Sequence, residues 1–273
     1  MGARDPHRFI NELDITSIER IIDRLEKRAK DKIFTSLFDK YIAELAIPHS
    51  AHVLEIGCGT GANLRFLARN ESFAGKAYGI DQSQAFIDAA SRYAREEGVA
   101  EQIELCVGDI HDLDYPDNTF DVVIAHTVIS HVTDPTTVLG EMARVVKSTG
   151  TMVIFDGDYA SLTFAHPDHA HGRQMDEALA RASFNNPFIM RDLPRILPEL
   201  GLKLISSWGD LVAEIGTASY FKSFSETYAP YVAKAGFKTE EEVNEWMAMQ
   251  LKAMEEGTFF AACNYYTYFV SVA

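Results

Sequence analysis

Apolar residues recur at helical spacing in two stretches near the start of the chain. Such spacing places apolar side chains on one face of a helix. The periodic positions are Ile18, Ile21, Ile22, Leu25 and Ala29, followed by Phe34, Leu37, Phe38, Tyr41, Ile42 and Leu45. Residues 1–14 are polar, and Thr16–Glu19 matches a capping box. We therefore predict that residues 1–48 form a helical cap with a loose beginning.

Short apolar runs then alternate with amphipathic stretches of about a dozen residues. The runs that predict strands are 52–56, 77–81, 103–107, 120–125 and 151–155. Strands that alternate with helices build a doubly wound parallel sheet, which is an α/β fold. Further along, residues 173–183 and 191–200 have helical patterns, and residues 202–215 and 259–272 are typical of strands.

Three glycines, Gly57, Gly59 and Gly61, follow the first predicted strand at alternate positions. A tight turn needs glycine, and a Cβ there would keep a ligand away from the backbone. Glu55 lies inside that strand, and Asp81 ends the second strand, where a carboxylate can accept both hydroxyls of a ribose. Other polar residues end later strands, namely Asp109, His126 and Asp156. Because ligands of such sheets bind at the carboxyl ends of the strands, we predict one nucleotide-type site there.

The segment Glu55–Gly61 resembles the first motif of class I S-adenosylmethionine-dependent methyltransferases, and Asp81 matches their ribose-binding acid. Asp109 and Ile110 match the pair that family members place against adenine, and residues 120–146 resemble the family's fourth motif with its helix. One departure is Lys-Ser-Thr-Gly at 147–150 in place of the usual Lys-Pro-Gly-Gly. The resemblance is strong over residues 50–160 and covers the remainder only in general layout.

The resemblance implies that the cofactor is S-adenosyl-L-methionine, with Arg28 near its methionine carboxylate. The residues it implies for cofactor binding are Arg28, Glu55, Gly57, Cys58, Gly59, Asp81, Gln82, Asp109, Ile110, His126 and Thr127. It also implies a seven-stranded, mostly parallel Rossmann-like sheet whose last strand runs antiparallel between its neighbours. We expect residues 49–216 and 258–273 to form this core, and residues 217–257 to form a helical insert that serves as a lid.

Within the family, the sequence is most similar to the bacterial and fungal group that methylates quinones and secondary metabolites, so we expect a small-molecule acceptor. Methyl transfer needs an aligned acceptor and, for some acceptors, a base. A neutral imidazole can take up a proton near pH ~6.5. The candidates for acting on the acceptor are His131, His126, His166 and Asp156, with His169, His171 and Tyr159 in the same part of the chain. The spacing of the three clustered histidines does not match a helical pair of metal ligands, so we predict no metal.

Composition narrows the choice of partners. The 273 residues carry a formal net charge of −15, which disfavours nucleic acid as a partner. No apolar run approaches the ~18 residues of a membrane span, and the first residues lack the apolar core of a signal peptide. Three widely spaced cysteines read as reduced thiols. These features favour a cytoplasmic protein that binds no membrane, either a monomer or a homodimer.

Other functions stay open at this level. A protein that binds the cofactor without transferring its methyl group would have the same cofactor motifs. An NAD-dependent oxidoreductase would need a third glycine three positions after the second, where this chain has Ala62. A methyltransferase acting on a basic peptide would suit an acidic chain. The sequence leaves open which atom of the acceptor is methylated.

Overall fold

The computed structural model describes residues 5–272. The strands are β1 His52–Ile56, β2 Lys76–Asp81, β3 Ile103–Val107, β4 Phe120–His126, β5 Val146–Phe164, β6 Leu202–Gly216 and β7 Phe259–Val272. The helices are α1 Ile15–Lys30, α2 Lys32–Leu45, α3 Ala62–Ala68, α4 Gln84–Glu96, α5 Pro135–Val145, α6 His169–Ser183, α7 Ile189–Glu199, α8 Tyr220–Lys234 and α9 Glu240–Glu255. Two 3₁₀ turns, Ile10–Glu12 and Ala100–Gln102, complete the list.

The strands form one seven-stranded sheet in the order β3-β2-β1-β4-β5-β7-β6. The first five strands pair in parallel, and β7 lies antiparallel between β5 and β6. This arrangement confirms the predicted α/β fold and the position of the last strand. The chain order reverses between β1 and β4, so the loops that follow these two strands flank the crevice where ligands of such sheets bind.

Strand β5 is much longer than the sequence pattern indicates. The pattern predicts an end at Phe155, where polar residues begin, but the strand continues to Phe164. Asp156 and Asp158 are nevertheless buried. The added length pairs with the first half of β7, so that Thr163 lies opposite Ala262. The sheet therefore extends past the carboxyl ends of the other parallel strands and supplies a wall beside them.

A large aromatic cluster covers this extension. It joins α2, α6, α8 and α9 to the added lengths of β5 and β7, with Phe164, Phe221 and Trp246 among its buried members. A second apolar cluster packs α5 and α7 against the opposite face of the sheet. Burial of large aromatic side chains dominates the energetics of such cores. The helices that follow β5 and β6 are thus fixed by packing on the sheet.

The beginning of the chain departs from the prediction. Residues 1–14 were expected to be loose; residues 1–4 lie outside the described part, but Asp5 and Ile10 are buried. Ile10 packs with Ile21 and Phe86. The cap of α1 also differs from the predicted capping box, since the Asp14 side chain accepts from Ser17 N. Tertiary contacts therefore order a segment whose local sequence carries no helix or strand pattern.

Two further features concern membranes and metals. Within residues 5–272, no helix combines the length and apolar character needed to cross a lipid bilayer. In the same part of the chain, no group of three or more His, Cys, Asp or Glu side chains is arranged to hold a metal ion.

Candidate active site

A cavity of about 630 Å³ opens at the carboxyl edge of the sheet. This volume is typical of small-molecule sites. The N-terminal segment, α1, the glycine turn, α8 and the loops after β2, β3 and β4 line it. All eleven residues that the sequence assigns to cofactor binding border this cavity, as does His131. The topology therefore brings together residues that are dispersed along the chain.

The turn after β1 has the conformation that its glycines permit. Gly57 and Gly61 have φ angles of 59° and 68°, which L side chains rarely adopt. A Cβ on Gly57 would lie 2.3 Å from Val128 Cγ2, so that even a methyl group would displace the loop after β4. Cys58 lies between these glycines, and burial raises the pKa of its thiol well above the usual value. The turn exposes backbone to the cavity and offers no reactive thiolate.

Glu55 presents an unpaired carboxylate oxygen. Its side chain is buried, and Oε1 accepts a hydrogen bond of 2.7 Å from Asn63 Nδ2. Oε2 is buried and has no hydrogen-bond partner. Burial raises the pKa of this carboxyl group to about 8. A buried carboxyl with one open oxygen, on the wall of a cavity, suits an ammonium ligand such as that of an amino acid.

Asp81 is held against the glycine turn. Its Oδ2 accepts from Gly59 N at 2.9 Å, and its Oδ1 accepts from Ser83 N at 2.9 Å. Burial raises the pKa of Asp81 to about 6. A carboxylate oxygen has two acceptor positions, so this side chain retains capacity for the hydroxyls of a ribose. Its neighbour Gln82 borders the cavity but donates its amide to His7 O at 2.9 Å.

Residues after β3 form the outer part of the cavity. Asp109 is 70% exposed and accepts from His111, whose Nδ1 lies 2.7 Å from Asp109 Oδ1. Hydrogen bonds from the His111 backbone and side chain lower the pKa of Asp109. Ile110 lies beside it, and Val107 is a large apolar residue that is 45% exposed here. An ionised acid beside aliphatic side chains fits the amine and the face of a purine base.

The loop after β4 is fixed by contacts from α1 and α2. Thr127 adopts a φ of 53°, and Arg28 Nη2 donates to its Oγ1 at 2.8 Å. The ring of His126 lies within the wall, with Nδ1 2.8 Å from the Tyr41 hydroxyl. Burial lowers the pKa of His126 well below the usual value, and the nearby charge of Arg28 lowers it further. His126 is therefore a neutral imidazole at neutral pH.

At the end of the cavity opposite the glycine turn, His131 is hydrogen-bonded to a residue from the start of the chain. His131 Nδ1 donates to Asp5 Oδ2 over 2.7 Å. The same carboxylate accepts from His7 N at 2.9 Å and from Asn185 N at 3.2 Å. The His7 ring lies 4.5 Å from the His131 ring, and its Nε2 is 2.8 Å from the Tyr228 hydroxyl. Sequence reasoning missed Asp5 and His7, because no motif or spacing relates them to His131.

Arg24 also borders this end and was missed. Its side chain is 4% exposed, yet Nε and Nη1 have no hydrogen-bond partner. The guanidinium lies 4.6 Å from the ring centre of Tyr228, with Phe224 and Tyr220 at 5.8 and 5.9 Å. A desolvated cation–π contact contributes ~2 kcal/mol, whereas burying an ion costs several kcal/mol. These aromatic rings only partly compensate the burial of the charge.

Two of the residues expected to act on the acceptor lie elsewhere. His166 does not border the cavity; it lines a separate depression near Asp176 and Gln250, with its Nδ1 bonded to the backbone of Asp168. Asp156 is fully buried, and its oxygens accept from Ser130 N and Gly157 N. Contrary to the expectation that they share a site with His131, neither His166 nor Asp156 lines this cavity. His166 lies just before α6, in the separate depression, and Asp156 anchors the loop that carries His131.

Known protein families and relatives match the part of the chain that contains the glycine turn. A family model described as a methyltransferase domain matches residues 48–212. The chain is 36% identical over 118 residues to the demethylmenaquinone methyltransferase of Bacillus licheniformis, covering 43% of this chain and 50% of the relative. It is 32% identical over 114 residues to the sterol 24-C-methyltransferase erg-4 of Neurospora crassa, covering 42% of this chain and 30% of the relative. The chain thus spans half or less of the length of these relatives.

A crystal structure from Bacillus halodurans C-125 has the same fold. The two chains superpose with a TM-score of 0.61 at 17% identity, covering 86% of this chain and 98% of the other. The match to the family model ends at residue 212, before α8 begins, whereas the structural match covers 86% of the chain.

Proposed function

Since the chain belongs to the methyltransferase domain family, we propose that it binds S-adenosyl-L-methionine and transfers the methyl group to a small molecule in the cavity described above. The observation that carries this proposal is the continuity of the cavity. It joins the open carboxylate of Glu55 and the glycine turn to the chamber around His131. Binding without transfer would require only the first of these two ends.

The residues at the glycine-turn end fit the cofactor by their chemistry. Glu55 would accept from its ammonium group, Arg28 would face its carboxylate, and Asp81 would accept from its ribose. Asp109 and Ile110 would hold the adenine. Gly57, Cys58, Gly59, Gln82 and Thr127 would contribute backbone and shape. When bound, the cofactor supplies a methyl group already activated by a positive sulfur.

His131 is the residue that we propose as base for acceptors that must lose a proton. Because Nδ1 donates to Asp5, Nε2 is the nitrogen free to accept a proton. A carboxylate in this position fixes the tautomer and the ring orientation and stabilises the imidazolium that forms. His126 is less suited, since its lowered pKa makes it a weak base and its Nδ1 is engaged by Tyr41.

The N-terminal cap and the helical insert would exclude water from the cavity. The segment from Asp5 to Glu12 borders the cavity. Two hydrogen bonds hold it to Gln82: Asn11 Nδ2 donates to Gln82 O, and Gln82 Nε2 donates to His7 O. Tyr228 of α8 closes the other side. We assign residues 1–48 and 217–257 the role of a lid over the core. Excluding water from the site protects the reactive donor and strengthens polar contacts inside.

The acceptor class follows from the lining of the chamber and from the relatives. Rings of Phe34, Phe38, Phe66, Tyr159 and Tyr228 border the cavity. Such a lining favours a flat or largely apolar acceptor, such as a quinone-like or secondary metabolite. The quinone methyltransferase among the relatives supports this assignment. The alternative function is a protein that holds the cofactor without transfer.

Calorimetric titration of the purified protein with S-adenosylhomocysteine, with NAD as control, tests the cofactor. Micromolar affinity for S-adenosylhomocysteine alone is the expected result, and binding of only NAD, or of neither, contradicts the proposal. A second assay with methyl-labelled donor and a panel of hydroquinones and phenols tests transfer. If wild type transfers the labelled methyl group and His131→Ala does not, transfer takes place in this cavity. Cofactor binding with no transfer to any acceptor favours the non-catalytic alternative.

A further inference from the structure

Arg24 is a buried cation at the end of the cavity that contains His131 and Tyr228, which we call the acceptor end. Arg24 borders the cavity and is buried, and two of its donor nitrogens have no partner. The side chains around it are the neutral rings of Tyr220, Phe224 and Tyr228. An arginine side chain stays protonated in proteins. The positive charge of Arg24 is therefore present in the chamber at any working pH.

Other positive or protonatable groups converge on the same chamber. Desolvation lowers the pKa of His7 well below its usual value, and the charges of His131, Arg24 and Arg28 lower it further. His7 is therefore neutral, and the carboxylate of Asp5 is already engaged by His131. Arg24 is left as the cation with unpartnered donors in this chamber of a chain whose formal net charge is −15. Potential of one sign in a cavity with low-dielectric walls attracts ligands of the opposite sign.

We propose that the methyl acceptor carries an anionic group, a carboxylate or a phosphate, which Arg24 binds at the end of the cavity away from the glycine turn. The proposal rests on the proposed function, because it names the class of acceptor for that same site. A guanidinium is the side chain best suited to planar or tetrahedral oxyanions. The aromatic walls would hold the remainder of the acceptor.

The position of Arg24 separates it from the cofactor end. Arg28, one turn further along α1, bonds to Thr127 beside the glycine turn. Arg24 instead faces Tyr228, which is bonded to His7, and His7 lies against the His131 ring. Arg28 is thus engaged by a hydrogen bond beside the glycine turn, whereas Arg24 packs against the rings of α8 with two donor nitrogens unpartnered. An anion on Arg24 would place the acceptor beside His131.

The test compares Arg24→Met with wild type and with Arg20→Gln, an exposed arginine of the same helix. Methionine is apolar and of similar length, so the aromatic surroundings should accept it. Benzoate, phenyl phosphate and neutral phenol are titrated calorimetrically into each protein, with and without saturating S-adenosylhomocysteine. Wild type and Arg20→Gln should bind at least one of the two anions tenfold or more tightly than phenol. Arg24→Met should lose this preference and keep its affinity for S-adenosylhomocysteine within about twofold.

The two anions distinguish the sources of the charge, since preference for benzoate indicates a carboxylic acid and preference for phenyl phosphate a phosphate ester. Equal anion affinity in wild type and Arg24→Met overturns the proposal, as does wild-type binding of phenol as tightly as both anions. Weakened S-adenosylhomocysteine binding in Arg24→Met assigns Arg24 to the cofactor and also overturns it. If wild type binds no S-adenosylhomocysteine, the proposed function fails, while the titrations without it still decide whether Arg24 is an anion site.

Thermal unfolding gives an independent readout. In anion-free buffer, Arg24→Met should unfold at an equal or higher temperature than wild type, because an unpaired buried charge is removed. Phenyl phosphate or benzoate should raise the unfolding temperature of wild type and leave that of Arg24→Met unchanged. A clear loss of stability in Arg24→Met, with no effect of either anion on wild type, shows a purely structural role and overturns the proposal. Arg24→Lys, which keeps the charge, should retain part of the anion effect.

Discussion

The two ends of the cavity are built in different ways. The glycine-turn end is built from residues at or just after the carboxyl ends of parallel strands, joined by Arg28 of α1. Its acidic groups facing the cavity are led by Glu55 and Asp81. The acceptor end is assembled from the N-terminal segment, α1, α8 and the loop after β4, and its titratable groups include Arg24 and His131. The first end depends on the local geometry of strand, glycine turn and helix. The second depends on long-range packing and can differ from chain to chain.

Because of this difference, changes that affect cofactor affinity should be separable from changes that affect the rate of methyl transfer. Changes at the glycine-turn end should weaken cofactor binding, while changes around His131 should lower the rate of transfer. The four changes below test that division, beginning with the one expected to have the largest effect.

Gly57→Ala should abolish cofactor binding and activity. The added Cβ would lie 2.3 Å from Val128 Cγ2 at a φ of 59°, so the turn and the loop after β4 would both have to move. We expect a loss of at least ~100-fold in affinity for S-adenosylhomocysteine, since displaced backbone cannot contact the ligand. The matched control is Gly140→Ala in α5, where an added Cβ meets nothing within 4 Å. Near-normal affinity in Gly57→Ala contradicts this account of the turn.

His131→Ala should lower the rate of methyl transfer by roughly 100- to 10,000-fold, the range for loss of a general base. Affinity for S-adenosylhomocysteine should stay within about twofold, because the residue lies at the other end of the cavity. Asp5→Asn should lower the rate less, since it removes the orienting carboxylate and leaves the imidazole. The measurement is kcat alongside calorimetry. A variant with full activity removes His131 from the role of base.

Asp81→Ala should weaken cofactor binding by about 1–3 kcal/mol through the loss of charge-assisted hydrogen bonds. Part of this loss would come from the turn itself, because Asp81 also accepts from Gly59 N. The exposed acid Asp88 of α4 provides a control, and Asp88→Ala should bind normally. Unchanged affinity of Asp81→Ala in calorimetry would refute the assignment to the ribose.

The affinity for S-adenosylhomocysteine should rise with pH and level off near pH 8. The pKa of Glu55 in the free protein is raised to about 8 by burial, so the carboxyl is mostly protonated at pH 7. An ammonium ligand favours the ionised form, and binding therefore releases a proton. Each pH unit below 8 should cost up to about tenfold in affinity. Glu55→Gln should bind more weakly and lose this slope between pH 7 and 8.5, where Asp81, with a pKa of about 6, is already largely ionised. A wild-type affinity independent of pH over this range contradicts the prediction.

By itself, the sequence determined the fold and the convergence of the glycine turn, Glu55, Asp81 and Asp109 at one edge of the sheet. Strand, glycine turn and helix follow one another within a dozen or so residues, and their geometry is local. Parallel strands bring their carboxyl ends to one edge, so Glu55, Asp81 and Asp109 could be placed together from chain order alone. The antiparallel last strand followed from the family resemblance, and the sheet order confirms it.

Only the tertiary structure decided the acceptor end. Asp5 and His131 are 126 positions apart, and no spacing rule relates them. His166 was a candidate because it follows the fifth predicted strand, but the extension of β5 to Phe164 carries it away from the cavity. No sequence motif marks Arg24, and the packing of α8 against α1 buries it with two donor nitrogens unpartnered. Periodicity shows which face of an element is apolar, but contacts between distant elements depend on how those faces pack.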